Sequence, residues 1–302
     1  MANNGYEGIP PIDKFPFVET INATRGKMES IYADSEYIRT LTIMEFWLTK
    51  LEQLVPPPIR TEFGESFVFR YKDQTLEQAL VQKLARMVTG LHSARLLLNN
   101  GLFQDQASIQ RMLDEFKEDI MFLAYAPLFD EITDLHKEFL GAFYAEEFDD
   151  PDSAIGSTQK RPAIPRKKIR AYIANIGAKL AAIDAANSHV ITKDQKDKEG
   201  LLANPSRGIE TERSLSKLYS GFVHGASPQI MNMYGGNPTR FQVSGMLGTP
   251  HEEIHREDLW NQFYRGVVAF GLVSVVFGDQ ELKIATTRYW VELERASGMW
   301  DS

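Results

Sequence analysis

The sequence predicts an all-α fold, a multi-helix bundle with a small β-hairpin insertion near residues 229–245. Three observations carry this expectation. Apolar residues recur at three- and four-residue spacing over long stretches, which places them on one face of a helix. Residues suited to capping stand at the ends of those stretches. Strand-like alternation is confined to two short runs. With 43% hydrophobic and 25% charged residues among 302, the chain has the material for a large core under an ordinary polar surface, and global disorder is excluded. The expected organisation is an extended N-terminal arm over 1–17 and a single helical domain over 18–302, with an internal linker at 149–164.

Taken in order, residues 1–17 are rich in Gly, Pro and Asn, and helical periodicity starts in "FVETINATRGKMESIYAD". It returns after Ser35, where Ile38, Leu41, Met44 or Glu45, Leu48 and Leu51 fall at helical spacing. "VPPPIR" ends that helix, because consecutive prolines remove backbone donors and clash with the preceding turn. "ESFVFRYKD" alternates Phe67, Phe69 and Tyr71 with Val68 and Arg70, as a short strand or extended loop would. Thr75 with Gln78 three residues on is a capping box for a long helix that stops at Asn100 and Gly101. A second helix runs from about Asp105 to Pro127, and a third covers "LFDEITDLHKEFLGAFYAEEF". Short connections make these three antiparallel neighbours.

Beyond the linker, Pro165 opens a helix through "RKKIRAYIANIGAKLAAIDAANS", and a polar loop at 188–207 leads to a helix from about Gly208 to Gly225. "QIMNMYGGNPTRFQVSG" has the half-apolar runs and Gly-Gly-Asn-Pro centre of a hairpin. Thr249 as N-cap and Pro250 at N1 open a long helix, and "DQELKIATTRYWVELERAS" forms the last one.

Composition excludes several classes of function. The chain has no cysteine, so disulfides, thiolate nucleophiles and cysteine metal sites are out. A net charge of -8 argues against non-specific coating of nucleic acid, which needs a basic footprint. The N-terminus lacks the basic and apolar regions of a signal peptide. The longest apolar run, 266–278, is shorter than the roughly 20 residues of a membrane helix and reads as buried. The expectation is a cytoplasmic protein with no membrane association and no cofactor.

Four constellations could carry chemistry. "HEEIH" at 251–255 matches a zinc-protease pattern, with His251 and His255 on one helix face and Glu252 as base. Its place in a first turn behind Pro250 instead suits acids that complement the helix dipole, and no metal is expected there. "QKRPAIPRKKIR" offers Lys160, Arg161, Arg166, Lys167, Lys168 and Arg170 beside a helix start, a phosphate site or a solvated loop offsetting the acidic run before it. Arg111 and Glu115 stand four apart in "IQRMLDEF", next to Asp114. On the surface such a pair is worth a few tenths of a kcal/mol, and buried it needs a reason. Finally, "LYSGFVHGASPQ" and the Lys217 just before it place Lys217, Ser220 and His224 along one side of a helix, with Tyr219 among them. Imidazole can take a proton from a hydroxyl and a cation can steady charge on a phosphoryl oxygen. The alternative is a histidine that interacts with the carbonyls of a helix end.

Together, "GLFQDQASIQRMLDEF" and "LYSGFVHGASPQ" resemble uncharacterised bacterial helical proteins related to the HEPN superfamily, over roughly 75–278. The resemblance implies a helical bundle that binds RNA or a nucleotide. In many members it implies a metal-independent endoribonuclease of a toxin or phage-defence system, often with the site across a homodimer interface. His224 takes the histidine position of that superfamily's Arg-x4–6-His signature, and Lys217 stands where the arginine would be. Lysine lacks the bidentate guanidinium grip, a departure that weakens the ribonuclease implication. The implied roles are proton transfer for His224, charge stabilisation for Lys217 and orientation of phosphate or water for Ser220. Arg111, Glu115, Tyr219, Arg166, Lys167 and Lys168 are the expected substrate-binding residues. A non-catalytic interaction or scaffold protein is the alternative, and an antitoxin or other protein partner is left open.

Overall fold

A computed structural model describes residues 33–63, 65–145, 164–187 and 219–296. The expected N-terminal arm, nearly all of the linker, the loop at 188–207, and Lys160, Arg161 and Lys217 lie outside the described residues.

The architecture is helical, as expected. The first helix, α1 (Asp34–Glu52), buries the expected Leu41, Met44 and Leu51 together with Tyr37 and Trp47, whereas Ile38 faces solvent, its inner place taken by the preceding Tyr37. The triple proline then leads into β1 (Ile59–Phe63), which pairs antiparallel with β2 (Ser66–Arg70), Arg60 facing Phe69 and Glu62 facing Phe67. The alternating run at 65–73 is thus half of a hairpin.

Helix α2 (Leu76–Asn99) begins at the expected capping box. Gln78 N–H donates to Thr75 Oγ1 at 3.2 Å, and Thr75 N–H to Gln78 Oε1 at 3.1 Å. Gly101, at φ 70°, ends it in the left-handed conformation, with Leu102 N–H bonded to Leu97 O at 2.9 Å. The same glycine lets another loop approach. Met246 N–H donates to Gly101 O at 2.9 Å, and a Cβ at 101 would lie 2.6 Å from Met246 N.

Helix α3 (Phe103–Leu128) is the centre of the bundle, packed on α2 and on two later helices, and its Pro127 falls in the last turn, where it breaks little. After α4 (Asp134–Tyr144), α5 (Arg166–Asn187) lies along α3. Residues 219–223 are helical. A short α6 (Ser227–Met231) occupies what the alternation predicts as a first hairpin strand. The expected insertion shrinks to β3 (Tyr234–Gly235) against β4 (Arg240–Phe241).

Helix α7 (Pro250–Val276) carries the apolar run into the core, and α8 (Gln280–Ala296) packs on it. Gly266 is where α7 meets α1 and α2, since a Cβ there would lie 2.8 Å from Met44 Cε and 3.2 Å from Leu91 Cδ1. Thr249 begins α7 as expected but caps through its neighbours: its hydroxyl donates to Met246 O, and Glu252 accepts from Gly248 N–H at 2.8 Å. No helix among the described residues is long and apolar enough to cross a membrane.

Candidate functional site

The helical residues 219–223 are pinned at Tyr219. Tyr219 is 2% exposed, and its hydroxyl donates to the Asp258 carboxylate of α7. Burial pushes the tyrosine far above its ordinary range and raises Asp258 to about 6, against the lowering effect of the Tyr219 hydrogen bond and of Arg265. One turn deeper, Asp114 Oδ1 accepts from Gln262 Nε2 at 2.9 Å and Arg265 Nη1 at 2.8 Å. Toward the start of α3, Gln106 Nε2 donates to His255 O at 3.0 Å.

Gln106, Gln110 and Asp114 stand four residues apart, so they form one stripe along α3 against α7. Gln110, midway along it, is fully buried, and neither of its amide atoms has a hydrogen-bond partner among the described residues.

After residue 223 the chain turns out to solvent. Ser220 is half-buried and His224 is exposed, its N–H bonded to Ser220 O at 3.0 Å. Gly225, at φ 61°, closes the helix, with Ala226 N–H reaching Gly221 O at 2.9 Å. These backbone bonds satisfy the terminal carbonyls without the imidazole. His136 is the contrast: it is 1% exposed, stacks on Phe122 at 4.0 Å, donates from Nε2 to Phe122 O at 3.1 Å and accepts at Nδ1 from Thr133. Desolvation lowers its pKa.

The other expected binding residues divide. Arg111, Glu115 and Arg166 do come together, on the α3–α5 seam. Arg111 pairs with Glu115 at 2.9 Å and Glu115 with Arg166 at 3.5 Å. Arg166 also pairs with Asp119, a 2% exposed carboxylate that receives Lys83 Nζ at 2.7 Å, and Arg170 Nε meets Glu118 at 2.7 Å. Tyr219 belongs to the separate α3–α7 seam. Lys167 and Lys168 are exposed, with Lys168 4.0 Å from Glu138. Sequence reasoning did not single out Lys83, Asp119, Asp258, Gln262 or Arg265, and no motif marks them.

"HEEIH" serves the start of α7. Glu252 accepts from Gly248 N–H and from Arg256 Nη2, which holds it below the usual carboxylate range. His255 is buried, stacked 5.0 Å from Phe103 and edge-on to Phe222; burial, with His251 adding, lowers it to about 4. Among the described residues no three metal-ligating side chains converge. No family model matches the chain, and neither does any curated protein or solved structure.

Proposed function

We propose that this is a HEPN-like helical protein that binds RNA or a nucleotide where the 219–223 helix ends, and that His224 supports metal-independent cleavage of RNA in a toxin or phage-defence setting. One observation supports the reading above the others. His224 offers an exposed imidazole, while Tyr219, five residues before it, is buried and anchored. His136, by contrast, is enclosed and bonded at both nitrogens. An exposed histidine on an anchored turn is within reach of a ligand that could exchange a proton with it.

In this reading the His224 imidazole removes the proton of a ribose 2′-hydroxyl. The 2′-oxygen attacks the adjacent phosphorus and the bond to the 5′-oxygen breaks. Products are a 2′,3′-cyclic phosphate and a 5′-hydroxyl, whose proton comes back from His224. Lys217 steadies the phosphorane-like charge, and Ser220 orients phosphate or water. The test is cleavage of a mixed RNA pool in EDTA by wild type and His224→Ala, with product ends analysed. Cyclic-phosphate ends from wild type alone are expected, with the variant's stability within about 0.5 kcal/mol of wild type, as for an exposed side chain. Equal cleavage by both proteins, or by neither, overturns the catalytic reading.

A second reading, a non-catalytic interaction protein, draws on the ion pairs. Arg111, Arg166 and Arg170 already face carboxylates, while Val223, Met231, Val243 and Ile254 expose apolar surface. Wild type that neither cleaves nor binds RNA would favour it.

A further inference from the structure

The β1–β2 hairpin stands off the helical body and packs extensively only on itself. Ile59 is 50% exposed, Phe67 43% and Phe69 59%. An isolated two-stranded ribbon is marginal in water, and each outer edge presents unpaired backbone groups. Such an element calls for a partner.

The charges along its open edge are complementary to those of a second copy. The pairing register puts Arg60, Glu62, Phe67 and Phe69 on one face. The Arg60 guanidinium lies 3.9 Å over the Phe67 ring, and the two phenyl rings meet edge to face at 5.6 Å. This face bounds a concavity of about 460 Å³ lined by Arg60, Glu62, Glu65, Ser66 and Phe67. Arg60 and Glu62 are two apart on an open edge strand, so the edge carries both signs of charge in self-complementary order.

We propose that β1 is a self-association edge, two copies pairing antiparallel about a two-fold axis through Thr61 into a four-stranded sheet. In that register Arg60 of each copy lies directly opposite Glu62 of the other, on the face that bears the aromatic rings. Opposite charges in directly facing positions favour this register, and like charges there oppose it. The interface is isologous, as a two-fold requires. A five-residue edge buries little area, so the dimer is weak and concentration-dependent. The inference rests on the hairpin alone and is independent of the RNA reading.

Sedimentation velocity of the full chain over roughly a hundredfold range of concentration tests it. Wild type should show a reversible monomer–dimer equilibrium. Arg60→Glu alone gives an edge with two acids and Glu62→Arg alone an edge with two bases, so each should stay monomeric. Mixed together they should form a heterodimer, and the double variant R60E/E62R should recover the homodimer. The mixing arm separates lost pairing from a damaged hairpin, because damage is not repaired by a partner. A wild type that stays monomeric, a dimer indifferent to either single change, or monomeric variants that fail to associate on mixing would each overturn the proposal.

Discussion

Two groups on one stretch of α7 titrate against each other. Asp258 is raised from its ordinary 3.8 to about 6, and His255 is lowered from 6.5 to about 4. The aspartate's folded-state value is raised, so its contribution to stability is fully present below pH 4 and is lost as pH climbs through 6. The histidine's folded-state value is depressed, so its contribution is present above pH 6.5 and is lost as pH falls through 4. Each displacement corresponds to something on the order of 2 to 3 kcal/mol, with opposite sign over nearly the same window. In wild type the two slopes offset, and this pair leaves stability level between about pH 4 and pH 6.5.

Removing one partner exposes the other. Asp258→Asn keeps an acceptor for the Tyr219 hydroxyl and deletes the carboxylate's titration, so the variant should lose stability on acidification by about 2 kcal/mol more than wild type. His255→Leu should gain a similar amount relative to wild type over the same range. Tyr219, Glu257, Arg265 and Asp114 act on Asp258, and His251 on His255, in both backgrounds, so differences between variants isolate the pair. Urea unfolding at stepped pH, read by circular dichroism, supplies the free energies. Parallel profiles for wild type and both variants would refute the argument.

Two further outcomes concern the α3–α7 seam. Gln110→Leu replaces a fully buried amide whose atoms have no partner among the described residues with an apolar side chain of similar size, and should raise stability by about 1 to 2 kcal/mol in urea unfolding. A loss would show that the amide is satisfied in solution. Asp114→Ala removes the acceptor shared by Gln262 and Arg265 and leaves a guanidinium whose side chain is only 14% exposed. About 3 kcal/mol of destabilisation is expected, the low end for a broken buried pair because Asp258 also acts on Arg265. A melting temperature unchanged from wild type would count against it.

Local chemistry made much of the helical frame legible. The Thr75–Gln78 box, the Asn100–Gly101 stop and the Thr249–Pro250 start act within a few residues, and all three boundaries stand where they were read. The β1–β2 hairpin was half-legible. Residues 59–62 carry no burial pattern because they are all exposed, and the prolines before them read only as a helix stop. "QIMNM" was misassigned because five residues hold too little periodicity to separate strand from helix. The polar seams were illegible for another reason. Asp114 finds its partners 148 and 151 residues away, and Asp119 finds Lys83 and Arg166 on two other helices. Arg111–Glu115 was visible as a spacing, but its half-buried state is set by α5 folding over it.

The basic run at the start of α5 shows how much a seam changes the meaning of a motif. In sequence, Arg166, Lys167, Lys168 and Arg170 form one patch. On the helix, Arg166 and Arg170 are four apart and turn inward to Asp119, Glu115 and Glu118, while Lys167 and Lys168 turn outward. The division follows the side chains. A guanidinium's planar fork suits carboxylates in a dry seam, whereas an ammonium is strongly hydrated and stays at the surface. A phosphate approaching this helix therefore meets two solvated lysines, and it would have to displace carboxylates to reach the arginines. RNA contact along α5 should then be weak, salt-sensitive and blind to sequence, the behaviour of lysines acting as point charges. Specificity would have to come from elsewhere, and the turn after residue 223 is where this chain places an exposed histidine.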